Sequence, residues 1–72
     1  MKLRYIGINP ELPKEVIVLL NEDTVLKDVL IATPFNSIKK QLSFLSGTTK
    51  ITLEDLVSDS DDILVLHVLG GG

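Results

Sequence analysis

A run of seven apolar or nearly apolar residues near the end of the chain, residues 63–69, constrains the fold most. Continuous apolarity over this length is typical of a β-strand that is covered on at least one face. An acidic turn, residues 59–62, precedes the run, and Gly70, Gly71 and Gly72 follow it. The sequence therefore predicts a central strand that leads into a tail without side chains.

The composition indicates one small domain of 72 residues with a net charge of −3 and no cysteine. The missing thiols exclude a disulfide framework and a thiolate metal site. Lysines and arginines are scattered, which argues against nucleic-acid binding. No apolar run approaches the ~20 residues of a membrane span, and no secretory segment opens the chain. We expect a soluble cytoplasmic protein with neither a nucleic-acid nor a membrane partner.

The first twenty residues predict an antiparallel hairpin. Residues 1–8 alternate as in a strand, with Met1, Leu3 and Tyr5 on one side and Lys2, Arg4, Ile6 and Ile8 on the other. Two prolines place a loop at residues 9–14, because proline cannot donate to a strand ladder. Residues 15–20 are largely β-branched and apolar and predict the second strand.

A helix is predicted over residues 25–32. Thr24 is suited to the N-cap, and the apolar stripe contains Val25 and Val29. Pro34 ends the helix. We expect an aspartate at Val25 or Val29 to unfold the domain, because either would place an unpaired charge in the core.

The middle of the chain leaves two possibilities open. Residues 36–46 are either helix or strand. A second helix would begin at Thr33 and Pro34, with Phe35, Ile38, Leu42 and Leu45 on one face and Gly47 as its end. The alternative is a strand at residues 41–45 that turns at residues 46–47 into Lys50 and Ile51. Residues 52–56 predict a short helical turn with Thr52 as its cap and with Leu53 and Leu56 directed inward.

Four pieces of the chain resemble the β-grasp family that includes ubiquitin and the prokaryotic sulfur carriers, namely the thiamine-pathway carrier and the small subunit of molybdopterin synthase. They are the acidic turn and strand start at residues 57–63, the terminal Gly71 and Gly72, the helix start at residues 23–25, and residues 41–47 together with 52–55. The chain departs from the carriers at Ser60, where they usually have glycine.

The resemblance implies an α+β, ubiquitin-like β-grasp fold, with one main helix packed across a mixed four- to five-stranded sheet. The first and last strands would be parallel neighbours, and residues 41–45 would form a strand. The chain would divide into a β-grasp domain, residues 1–69, and a flexible C-terminal glycine tail, residues 70–72.

The same resemblance implies that the chain is a carrier rather than an enzyme. An E1-like adenylating enzyme, using its own ATP and Mg²⁺, would activate the carboxylate of Gly72, and Gly71 and Gly70 would thread its active site. Sulfur transfer would make Gly72 a thiocarboxylate for cofactor biosynthesis of the molybdopterin or thiamine type, with a synthase subunit receiving the tail. The chain itself would bind no cofactor or metal and would supply no catalytic residue.

Two other functions remain open from the sequence. A protein modifier would join Gly72 to lysines of target proteins, and chains would grow on lysines that the sequence does not rank: Lys2, Lys14, Lys27, Lys39, Lys40 and Lys50. A noncovalent interaction module would keep its function after deletion of Gly71 and Gly72.

Side chains of the last strand predict a docking surface for the activating partner. If Ile63, Val65 and His67 face one way, the alternate residues face the other, and the uncovered set forms an exposed apolar stripe. By analogy with the family, we expect this docking patch to contain Phe44, Leu64, Leu66 and Val68. His67 is expected to be a strand residue rather than a catalyst.

Acidic residues near the tail have two possible roles. They could steer docking onto a basic partner, or they could form a solvated charged turn. The residues are Glu54, Asp55, Asp59, Asp61 and Asp62.

Overall fold

The computed structural model describes residues 1–67. Val68 and the three terminal glycines, which carry several of the predictions above, lie outside the described residues. The elements are β1 (Lys2–Gly7), β2 (Glu15–Ile17), β3 (Thr24–Val25), α1 (Leu26–Leu30), a 3-10 helix (Asn36–Gln41), β4 (Ser43–Ser46), β5 (Thr49–Ile51), β6 (Leu56–Val57) and β7 (Asp62–His67).

Five strands form one mixed sheet in the order β2-β1-β7-β4-β5. The first and last strands lie side by side and run parallel, with Leu3 opposite Ile63 and Tyr5 opposite Val65. The pairs β1–β2, β4–β5 and β4–β7 are antiparallel. The structure thus confirms the α+β class, the mixed five-stranded sheet, the first hairpin and the parallel pairing of the first and last strands. The second strand of the hairpin is shorter than predicted, since it ends at Ile17 rather than at residue 20.

The core lies between one face of this sheet and the helical segments. Leu3 and Tyr5 alternate with more exposed residues along β1, as the sequence predicts, and on β7 the buried Ile63 and Val65 alternate with half-buried residues. Phe35 stacks on Tyr5 with ring centroids 5.6 Å apart. The largest fully buried side chains are Leu3, Leu26, Leu30, Phe35, Ile63 and Val65.

The start of α1 differs from the prediction. Thr24 belongs to the short strand β3, and its hydroxyl donates to the carbonyl of Glu22 rather than capping the helix. The N-cap position is Val25, which makes no side-chain capping bond. Backbone carbonyls from a distant turn take over this role: Asp55 O accepts from the N–H of Leu26 at 2.9 Å, and Leu53 O accepts from that of Lys27 at 3.0 Å.

The α-helix is also shorter than predicted, since it ends at Leu30. Its last carbonyls are then bonded to the third residue ahead, so the chain continues in 3-10 turns. Thr33 organises the break before Pro34: its hydroxyl donates to Leu30 O at 2.8 Å and accepts from the N–H of Phe35 at 3.2 Å.

Residues 36–46 contain both structures that the sequence left open. The helical part is the 3-10 helix, and the strand begins two residues later than predicted, at Ser43. Gly47, at a φ of 63°, makes the turn into β5. Left-handed backbone of this kind is why glycine is favoured there.

The turn at residues 52–56 forms, but one of its side chains points the other way from the prediction. Asp55 Oδ2 accepts from the N–H of Thr52 at 2.7 Å and closes the turn. Leu56 is 66% exposed, whereas Val57 is buried. The reason is that Leu56 and Val57 form β6, which pairs with β3, so that adjacent side chains point to opposite sides.

Candidate functional site

The sheet face that is turned away from the helical segments presents apolar side chains at its centre. On β7, Leu64 lies between Arg4 of β1 and Leu45 of β4, and Leu66 lies between Ile6 and Ser43. Residues directly opposite each other on neighbouring strands share a face. Four side chains therefore form one apolar surface, which we name the outer patch: Ile6, Leu45, Leu64 and Leu66.

This patch is open to solvent to different degrees. Ile6 is 60% exposed, and the other three members are half-buried against their neighbours. A one-layer sheet leaves this face without a covering helix in the described part of the chain. Contiguous exposed apolar surface of this kind commonly marks a protein interface.

Charged residues border the outer patch on two sides. Lys50 lies opposite Leu45, and Arg4 lies opposite Leu64. The Nε of Arg4 is 3.0 Å from Oδ1 of Asp62. Both partners are about half exposed, so this pair contributes little to stability. The outer patch thus has an apolar centre and cationic side chains at its border.

The prediction that Phe44 belongs to the exposed face is wrong. Phe44 lies opposite Val65 on β7 and therefore shares the core face, where it is 2% exposed. Its neighbour Leu45 takes the outward position instead. Leu64 and Leu66 lie on the outer face, whereas Val68 is outside the described residues; docking by any of these residues stays a prediction.

Sequence reasoning missed Ile6 and Leu45 as members of the patch. The sequence contains a signal for Ile6, because it is an isoleucine on the otherwise charged side of β1. It contains no local signal for Leu45, because the face on which Leu45 lies depends on where β4 begins and on the register of β4 with β7.

A hydrogen-bonded cluster holds the last described residue of β7, His67, against β1. Oη of Tyr5 lies 2.9 Å from Nδ1 of His67, and it accepts from the N–H of Asn9 at 3.1 Å. The Tyr5 hydroxyl donates to Nδ1 or accepts from it, depending on the tautomer of the imidazole. His67 therefore positions the end of the strand, in line with its expected structural role.

The acidic residues near the end of the chain are engaged in local structure. Glu54 pairs with Lys27 at 3.1 Å, and Asp61 Oδ2 accepts from the N–H of Ser58 at 2.8 Å. Asp62 pairs with Arg4, as described above. Ser60 is accommodated without a positive φ, because no residue other than glycine has one in the described part of the chain. Steering of a partner by these charges stays a prediction.

Asp59 ties the acidic turn to both ends of the first hairpin. Its Oδ1 accepts from the N–H of Leu20 at 2.8 Å and from the amino group of Met1 at 3.3 Å. The hydrogen bond from Leu20, followed by the bond and the positive charge of the amino group, lowers the pKa of Asp59 below its ordinary value. The same amino group also donates to Val18 O at 2.8 Å.

Residues 1–67 lack two other kinds of site. No three histidine, aspartate or glutamate side chains there lie close enough together to hold a metal ion. None of the helices in this range is long and apolar enough to cross a membrane.

Comparison with known protein families, with curated proteins and with solved structures finds no match to this chain.

Proposed function

We propose that this chain is a ubiquitin-like carrier protein of the β-grasp class, and that the reactive group is the carboxylate of Gly72. The observation that carries the proposal is the sheet order β2-β1-β7-β4-β5, with β7 parallel to β1 at its centre. This arrangement is the one that the resemblance implies. It makes the strand that leads toward the three glycines the central strand of the sheet, with β1 on one side and β4 on the other.

The chemistry belongs to a partner, because a carboxylate does not react with nucleophiles at neutral pH without activation. An E1-like enzyme would join the Gly72 carboxylate to the AMP portion of ATP and release pyrophosphate. Hydrosulfide (HS⁻) would then attack the acyl carbon and displace AMP, which yields a thiocarboxylate and releases a proton. The thiocarboxylate would supply sulfur in cofactor biosynthesis. The outer patch is the surface that we assign to docking on the activating enzyme.

The test is the intact mass of the protein isolated from its native cells. The protein is left untagged, because a tag before Met1 would remove the amino group that bonds to Val18 O and to Asp59, and a tag after Gly72 would block the carboxylate under test. The untagged chain should carry a mass increase that corresponds to the replacement of one oxygen by sulfur. The same measurement determines whether Gly72 is the end of the mature protein, as the proposal requires.

Deletion of Gly72 is the control, and it should abolish the mass shift while leaving the fold intact. A ladder of adducts joined through Gly72 to lysines would instead identify a protein modifier. The unmodified mass alone, in cells that depend on cofactor synthesis, would contradict both and favour a noncovalent module.

Lysine accessibility bears on the modifier outcome. Lys27 is paired with Glu54, Lys39 donates to Asn36 at 2.9 Å, and Lys2 lies 3.6 Å from Glu15. The remaining three lysines are exposed and have no ion pair among residues 1–67: Lys14, Lys40 and Lys50. If chains form, these three are the expected first acceptors.

A further inference from the structure

The strand β2 forms one edge of the sheet, and its outer side has no strand partner among residues 1–67. Its inner side is bonded to β1: Tyr5 N–H donates to Lys14 O at 2.8 Å, and Val18 N–H donates to Met1 O at 2.9 Å. In an antiparallel ladder, backbone groups alternate in direction along the strand. Glu15 and Ile17 therefore direct their N–H and C=O groups away from the sheet.

The edge formed by β2 carries exposed apolar side chains, although sheet edges are normally protected against pairing with another chain. Ile17 is 59% exposed, and Leu19, just after the strand, is 85% exposed. Proteins usually protect edges with charges, prolines, bulges or very short strands. Both edge strands have three residues, but the exposed side chains of β5 are the polar Thr49 and Lys50. Of the two edges of this sheet, only β2 offers both unpaired backbone groups and exposed apolar side chains.

We propose that β2 pairs with β2 of a second copy of this chain. The pairing is antiparallel, about a two-fold axis that passes between the two copies of Ile17. Each Ile17 exchanges both backbone hydrogen bonds with its counterpart, and Glu15 lies opposite Leu19. Val16 then lies opposite Val18. The interface is isologous, as the commonest dimers are, and joins the two sheets into one.

Charge selects this register over its neighbours. Pairing centred on Val16 would also join outward groups, with Glu15 bonded to Ile17 of the other copy, but it would bring the two glutamates to two residues apart along the ladder, roughly 7 Å. Pairing centred on Glu15 places two carboxylates directly opposite each other, which is destabilising. In the Ile17 register the two glutamates lie four residues apart along the ladder, roughly 13 Å. Each of them also keeps its own Lys2 at 3.6 Å.

The proposed dimer is independent of the proposed function. A two-fold axis perpendicular to the sheet keeps the outer patches of both copies on the same side of the joined sheet, and the pairing covers neither of them. Docking at the outer patch and pairing at β2 can therefore fail separately.

Three isoleucines with nearly equal exposure make a matched test of the interface. Ile17, Ile6 and Ile31 are 59%, 60% and 64% exposed, and lie on the edge strand, in the outer patch and just after α1, respectively. Sedimentation over a concentration series should show the wild-type mass rising from 7.9 kDa toward twice that value. Ile17→Lys should raise the dimer dissociation constant by at least about tenfold, whereas Ile6→Lys and Ile31→Lys should stay within about twofold of wild type.

Amide hydrogen exchange of the wild-type chain provides a second test that does not depend on a variant that folds. The amides of Glu15 and Ile17 should become protected as the concentration rises, whereas those of Val16 and Val18 should be protected at every concentration. A wild-type chain that remains monomeric up to about 1 mM, the weak end of specific association, would overturn the proposal. So would a dimer that Ile6→Lys disrupts and Ile17→Lys does not, or one in which the Ile17 amide exchanges as in the monomer.

Discussion

Gly7 at the end of β1 has no space for a side chain. A Cβ placed there would overlap the ring and hydroxyl of Tyr5 and would lie 2.6 Å from Cβ of His67. Tyr5 cannot move aside easily, because it is stacked on Phe35 and bonded to His67 and Asn9. Gly7→Ala should therefore lower the free energy of unfolding by about 1–3 kcal/mol, the usual effect of overpacking, in a denaturant titration.

A double-mutant cycle identifies the cause of that loss. In a Tyr5→Leu background, which removes the hydroxyl and the outer ring carbons, the effect of Gly7→Ala should become smaller, and the overlap with Cβ of His67 should account for what remains. An undiminished effect would mean that the overlap with His67, rather than the one with Tyr5, causes the loss.

Asp59 should make stability depend on pH. Because the folded state lowers the pKa of this carboxyl, its contribution is fully present above the unfolded pKa of about 3.9 and is lost as the pH falls through the folded pKa. Asp59→Asn should therefore be less stable than wild type at about pH 6, and the gap should narrow by about pH 2. Urea titrations of both proteins at the two pH values measure this difference in the free energy of unfolding.

The amino group of Met1 provides the control for that measurement. Acetylation removes its positive charge and should reduce the gap at about pH 6, since the amino group is the second contributor to the lowered pKa after Leu20. A gap of the same size at both pH values would show that the carboxylate charge is not involved.

At the level of elements, the sequence predicted what depends on local periodicity. Alternation along residues 1–8 gave β1 and its buried side, and the proline-containing loop gave the hairpin. The helix start was predicted wrongly at Thr24, because the first N–H groups of α1 bond to the carbonyls of Leu53 and Asp55, which are distant in sequence. No local signal encodes a cap of that kind.

The short helix makes Val29 and Val25 unequal, although the sequence alone treats them alike. Val29 is buried on α1, whereas Val25 is half-buried at the N-cap position. Val29→Asp should cost at least about 3 kcal/mol, since it buries an unpaired charge, and a core of this size supplies only about 3–5 kcal/mol. Val25→Asp should remain folded, because aspartate is a favourable N-cap. Circular dichroism of the two variants during heating tests the contrast; equal unfolding of both would contradict the observed helix start.

At the level of the whole molecule, the single sheet layer separates a core side from the side that carries the outer patch. Alternation predicted that β7 has two faces, and the analogy with the family predicted which of them is exposed. The sequence could not assign Phe44, because the face of β4 depends on the register that pairs Phe44 with Val65. A shift of one residue moves every side chain of a strand to the other face. Errors in assigning faces are therefore expected for strands that are too short to show a clear alternation.

Adjacent residues of β7 should therefore respond in opposite ways to the same substitution. Val65→Asp should leave the chain unfolded, because Val65 is fully buried and its aspartate would have no partner in the core. Leu66→Asp should remain folded and should lower the fraction of protein carrying the Gly72 thiocarboxylate in native cells by at least about tenfold, as expected for a central residue of an interface. Ile31→Asp, an exposed apolar site away from the sheet, is the control and should leave that fraction unchanged. A folded Leu66→Asp chain with the wild-type fraction would remove the outer patch from the activation step while leaving the chemistry at Gly72 in place.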